Sequence, residues 1–157
     1  MSLMTLFLWG QMWVKIGDYS PGAEIGIEHT CDGGDIPPLI QWGNSPKETQ
    51  VYVLRLYDPD APADTFIHWI AYNIKNSQIG RGSRDVQEGY NDFGKVGYGG
   101  PCPPVRDSPH RYVAEVYALK KPLPLNGAVS WEKIRSLMGD KVIGHAQTFV
   151  TYKRHKR

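Results

Sequence analysis

The run Val51-Tyr52-Val53-Leu54-Arg55-Leu56-Tyr57-Asp58, leading into Pro59-Asp60-Ala61-Pro62, constrains this chain more than any other stretch. Residues 51–56 are rich in β-branched and aromatic side chains and too short a run for a typical helix, which predicts a buried strand. Alternation puts Leu54, Leu56 and Asp58 on one face, and Asp60 continues that parity if the backbone stays extended. Carboxylates are thereby expected at the rim of an apolar sheet. Pro59 and Pro62 fix φ and remove backbone donors, so the strand must end in a stiff loop. His68 opens the next strand, with Ile70, Tyr72 and Ile74 on its face. One imidazole and two carboxylates are therefore candidates for a single polar cluster.

The length of 157 residues predicts one domain with a core of its own, assigned here to residues 4–152. The formal net charge is +2, but Lys153, Arg154, Lys156 and Arg157 sit together in a basic tail, and without them the rest carries −2. That balance argues against nucleic acid as a partner. No apolar stretch is long enough for a membrane span, which argues against integral membrane association. Residues 3–9 are greasy but lack a basic segment before them and a small-residue cleavage site after them, so the expected location is cytoplasmic. The tail is expected to be solvated and disordered.

Cys31 and Cys102 are the only cysteines. No zinc spacing is present, and in a chain read as cytoplasmic two buried thiols are the expectation, with a disulfide as the alternative.

Along the chain, residues 5–16 could supply a first strand, weakened by Gly10. Residues 18–26 read as a turn-rich connection, residues 39–42 as a short strand and residues 44–47 as a turn. Residues 75–109 show little periodicity and many Gly and Pro, yet Tyr90, Phe93, Tyr98 and the paired prolines predict an ordered loop. Asp92-Phe93-Gly94 lacks the companions of a kinase site, and Gly97-Tyr98-Gly99-Gly100 lacks the Lys and Ser/Thr of a phosphate-cradling loop. Residues 110–119 alternate strictly, with His110, Tyr112, Ala114 and Val116 on one face and Arg111, Val113, Glu115 and Tyr117 on the other. Residues 130–138 predict a helix: Ser130 caps it, Glu132 suits its positive end, and Trp131, Ile134, Leu137 and Met138 form its apolar stripe. Residues 142–143 and 148–152 read as closing strand segments.

Several of these motifs together carry a resemblance. Asp58-Pro59-Asp60-Ala61-Pro62 with His68-Trp69, Gly99-Gly100-Pro101-Cys102-Pro103-Pro104, and His110-Arg111-Tyr112 resemble the phosphatidylethanolamine-binding protein family. Thr30-Cys31-Asp32-Gly33, Pro37-Pro38-Leu39 and Asn91-Asp92-Phe93-Gly94 are similar to its bacterial and archaeal branch. The chain departs from that pattern at Asp140-Lys141, where the branch often has Gly-His, and at Arg106-Asp107-Ser108-Pro109, where a glycine-rich link is usual. The resemblance implies an antiparallel β-sandwich, with one or two short helices and long ordered loops, and an anion pocket at one end. It implies a pocket of Asp58, His68, Gly100, His110 and Tyr112, with walls shaped by Asp60, Pro62 and Pro101. It implies neither metal nor cofactor, and dimerisation is a habit of relatives. Trp9, Trp13 and Trp42 are either a dimer surface or ordinary core.

The chemistry agrees with such a pocket. A phosphate oxygen takes donors such as an imidazolium, a phenol and backbone N–H groups that glycine lets approach closely. A carboxylate beside a histidine keeps it charged, so Asp58 is expected to orient and charge one of the imidazoles. The leading expectation is a non-enzymatic binding protein for a small phosphorylated or other anionic ligand. The alternatives are serine protease inhibition through the surface segment at residues 76–92 and, more remotely, metal-dependent hydrolysis using the Asp and His side chains.

Overall fold

The computed structural model describes residues 11–155. Eight strands, one α-helix and two short 3-10 turns make up its regular structure. β1 (Trp13–Ile16), β2 (Ile40–Gly43) and β5 (Gln78–Ile79) form a three-stranded sheet in the order β1-β2-β5. β3 (Val51–Asp58), β4 (Phe66–Ile74), β6 (Gln87–Glu88), β7 (His110–Leu119) and β8 (Val142–Tyr152) form the larger sheet in the order β6-β4-β3-β7-β8. All pairings within both sheets are antiparallel. The expected β-sandwich is therefore the fold observed.

The core lies on both faces of the larger sheet. Between the sheets, Ile16, Ile40 and Trp42 meet Leu54, Leu56, Trp69, Tyr112 and Val116. On the other face, Val53, Ile70, Tyr72 and Leu119 pack against Trp131, Ile134 and Met138 of α1 (Trp131–Met138). Ser130 caps α1 by accepting from the Lys133 N–H, as its position in the sequence predicts.

β4 departs from simple alternation. Leu56 pairs with Trp69 and Tyr57 with Ile67, so His68 is an extra residue in a β-bulge. A second irregularity follows at Asn73, which has φ 51°. The common face expected for His68, Ile70, Tyr72 and Ile74 is therefore broken. Ile70 and Tyr72 face α1, while Ile74 joins the inter-sheet core.

β8 is one continuous strand where two segments were expected, because residues 144–147 keep the pairing with β7. Gly144 fits there since a Cβ would stand 3.0 Å from Pro46 Cδ. Of the strand expected at residues 5–16, Trp13–Ile16 forms and residues 5–10 lie outside the described residues. Trp9 lies outside them as well, Trp42 is core, and Trp13 is exposed. The loop at residues 75–109 contains β5 and β6, and the tip of the segment considered for protease binding, residues 81–85, is exposed.

Two expectations need correction. Cys31 and Cys102 form a disulfide and are exposed, not buried thiols. Their loops are already held together by the Cys31 N–H donating to the Pro101 carbonyl at 3.1 Å, a contact between segments 70 residues apart that no local pattern announces. The tail is anchored at its start: Lys153 Nζ donates to the Asp107 carbonyl at 2.6 Å, and Arg154 pairs with Asp32 at 3.1 Å. Among the described residues no helix is long and apolar enough to cross a membrane.

Candidate functional site

The ends of β3, β4 and β7 bring Asp58, His68, His110 and Tyr112 to one recess of about 170 Å³. Asp58 is the last residue of β3 and shares the inter-sheet face with Leu54 and Leu56, as parity predicts. β7 begins at His110 and places Tyr112 two residues on along the same face, where the two rings stack at 6.5 Å. The bulge in β4 turns His68 toward them, with its ring 5.2 Å from that of Tyr112. All four side chains belong to buried residues.

The histidines differ in their bonding. His110 is held on both ring nitrogens by carboxylates: Nδ1 lies 2.6 Å from Asp58 Oδ2 and Nε2 lies 2.8 Å from Asp107 Oδ2. Burial pushes the His110 pKa down, but the bonds to Asp58 and Asp107 outweigh it and the net direction is up, favouring the imidazolium. Burial dominates for His68 and pushes its pKa down, only partly opposed by the Gly99 carbonyl and the Asp58 charge. As a neutral ring, His68 donates from Nδ1 to the Gly99 carbonyl at 2.6 Å, which leaves Nε2 as an acceptor without a hydrogen-bond partner.

Tyr112 completes the floor. Its hydroxyl is buried and unpartnered, and burial followed by the Asp58 charge raises its pKa, so it remains a phenol. The walls are apolar. Phe66 and Phe93 stand edge-on with centroids 4.8 Å apart, and Ala61, Pro62, Pro103 and Pro104 close the remaining sides beside Cys102.

Three of the predicted residues take other places. Asp60 does not continue into the recess, because its own N–H folds back onto Asp58 Oδ1 at 2.7 Å. Its carboxylate sits on the rim and accepts from Arg111 Nη2 at 2.8 Å and Nε at 3.0 Å, and the hydrogen bond to that guanidinium lowers the Asp60 pKa to about 2. Gly100 donates its N–H to Asp35 Oδ1 at 2.8 Å, so that amide ties loops together instead of facing a ligand. Glycine is needed there for space: a Cβ would stand 2.2 Å from the His29 carbonyl oxygen. Pro101 is buried behind the wall, which is formed by Pro103 and Pro104.

Sequence reasoning passed over Asp107, Asp35, Asn91 and the two phenylalanines as parts of the site. Asn91 is buried and orders the 91–97 turn, accepting from the N–H groups of Phe93 and Lys95 and donating to the Gly97 carbonyl. The one available signal for Asp107 was the unusual Arg106-Asp107-Ser108-Pro109 link. Among the described residues no group of three or more His, Cys, Asp or Glu side chains is arranged to hold a metal ion.

Comparison with known proteins matches residues 15–153 to the family described as phosphatidylethanolamine-binding protein. A UPF0098 protein of Aquifex aeolicus is 40% identical over 146 residues, covering 87% of this chain and 85% of that protein. Another, from Methanothermobacter thermautotrophicus, is 34% identical over 152 residues, covering 91% of this chain and 99% of that protein. A solved structure described as a phosphatidylethanolamine-binding protein homologue from Chlamydia trachomatis superposes with a TM-score of 0.86 at 32% identity, covering 92% of this chain and 98% of that one. Escherichia coli YbcL gives a TM-score of 0.83 at 27% identity, covering 92% of this chain and 99% of its own.

Proposed function

Because the chain belongs to the phosphatidylethanolamine-binding protein family, we propose that it is a non-enzymatic binding protein whose recess takes the anionic group of a small, typically phosphorylated ligand. The observation that carries this reading is the buried, unpartnered Tyr112 hydroxyl beside the unpartnered Nε2 of His68. A buried hydroxyl without an acceptor costs free energy, and an anionic oxygen in the recess supplies the acceptor. His68 Nε2 accepts a P–OH proton or, once protonated, donates to a P–O⁻ oxygen. The volume of about 170 Å³ suits such a group, and Phe66, Phe93 and the proline wall offer apolar surface to its substituent.

Calorimetric titration with inorganic phosphate and phosphoethanolamine tests this reading. His68 is held below its ordinary value of 6.5, so affinity should rise as pH falls below that value and Nε2 gains its proton. His68→Ala should weaken binding about tenfold or more, the scale of a lost charge-assisted hydrogen bond. Affinity that stays level from about pH 5.5 to 8, and is indifferent to His68→Ala, refutes the assignment.

A further inference from the structure

We infer that Asp107 is a built-in competitor for the anion: from the neighbouring depression that shares His110 with the recess, its carboxylate occupies His110 Nε2, and an anion gains that nitrogen as a further donor by displacing it. This inference rests on the binding reading above and adds a gate and a ligand preference to it.

The geometry is specific. The Asp107 N–H donates to the Pro104 carbonyl at 3.0 Å and its own carbonyl accepts from Lys153 Nζ at 2.6 Å, so its backbone is fixed on both sides. Only the side chain is left to move. That side chain is 36% exposed while the His110 ring it touches is 5% exposed. The carboxylate can therefore turn outward into water at little desolvation cost, whereas the ring stays where β7 puts it.

Charge gives the same direction. With Asp107 in place, the carboxylates of Asp58 and Asp107 hold the His110 ring from both sides, so an anion arriving at Nε2 meets a like charge already seated there, while the Lys153 ammonium lies on the far, backbone side of Asp107 at its carbonyl. Asp60 adds nothing to this, being paired with Arg111. With Asp107 turned out, Asp58 and His110 form a neutral pair and Nε2–H becomes a free donor. The ligand must outcompete a carboxylate that is already seated and tethered. A phosphate, which offers several anionic oxygens to His110, Tyr112 and His68 together, does so better than a simple carboxylate.

The test is titration with inorganic phosphate and with acetate, at one pH and ionic strength. The proteins are the unsubstituted chain, Asp107→Asn, Asp107→Ala, His110→Ala alone and combined with Asp107→Asn, and Asp140→Asn. The last removes the same charge beside the opposite end of the β7–β8 ladder, where Val142 pairs with Leu119. Both Asp107 variants should bind phosphate roughly tenfold more tightly, the scale of one charge-assisted hydrogen bond at a partly exposed group. Their preference for phosphate over acetate should narrow, Asp140→Asn should match the unsubstituted chain, and adding His110→Ala to Asp107→Asn should abolish the gain. If the chain binds phosphate through His68 but Asp107 substitution leaves affinity unchanged, or Asp140→Asn gives the same gain, the gate is wrong and the binding reading stands. If no variant binds phosphate while the His110 Nε2 resonance shifts on loss of Asp107, the contact is structural and both readings fall.

Discussion

Tyr112 buries its hydroxyl without a partner, a cost the fold carries at a position where phenylalanine has nearly the same shape. Tyr112→Phe should raise stability by about 1 kcal/mol by removing an unsatisfied polar group. In a chain of this size that corresponds to a thermal midpoint about 2–4 °C higher. The same change should weaken phosphate binding, and melting curves paired with calorimetry read both effects. The two buried histidines act on stability in opposite senses. His110 has a raised folded pKa, so its contribution is complete below its unfolded value near 6.5 and is lost as pH rises through the folded value. His68 has a lowered one, so stability declines as pH falls from 6.5 through the folded value, the unfolded chain taking the proton first. Strand parity placed Asp58 on its face of β3 and paired His110 with Tyr112 on β7, both strands being regular up to the recess, and it was the family motifs that joined the three into one cluster. Asp35 and Asp107 were not legible, since each acts from an irregular loop on a group that its own sequence neighbourhood does not predict.

Elements position these residues less by their own regularity than by where it fails. The bulge in β4 aims His68 at Tyr112, and no periodicity analysis announces it, because the flanking residues 66–74 are apolar on both faces and hide a change of parity. The helix was legible because an N-cap and an amphipathic stripe are local signals. The disulfide was not, as Cys31 and Cys102 are 71 positions apart and pair only through loop packing. Replacing both cysteines by serine should cost about 2–4 kcal/mol through the longer loop released in the unfolded chain. Urea unfolding of the oxidised protein and the double variant measures this. A cost near zero would mean that the Cys31–Pro101, Gly100–Asp35 and Tyr152–Asp32 hydrogen bonds alone hold the loops.

The whole molecule separates the supporting helix from the recess. One face of the larger sheet packs on α1 and the other carries the inter-sheet core and the recess. Ile134→Ala, at a fully buried position of α1, should cost about 2–5 kcal/mol by leaving a cavity. Phosphate affinity should remain unchanged, because α1 supplies none of the residues that line the recess, and denaturation with calorimetry separates the two effects. The sandwich was legible from strand patterning together with the family motifs, which lie mostly in the loops at one end. That end is also where segments remote in sequence are stitched: Asp32 to Tyr152, Asp58 to His110, Asp35 to Gly100 and Asp107 to Lys153. During synthesis, β3, β4 and β7 can emerge and pair well before residues 152–153 exist to clasp the 32 and 107 loops. The walls of the recess are thus fixed only when the final strand has been translated and docked, so on the proposed reading a bound anion would mark a chain that has finished folding.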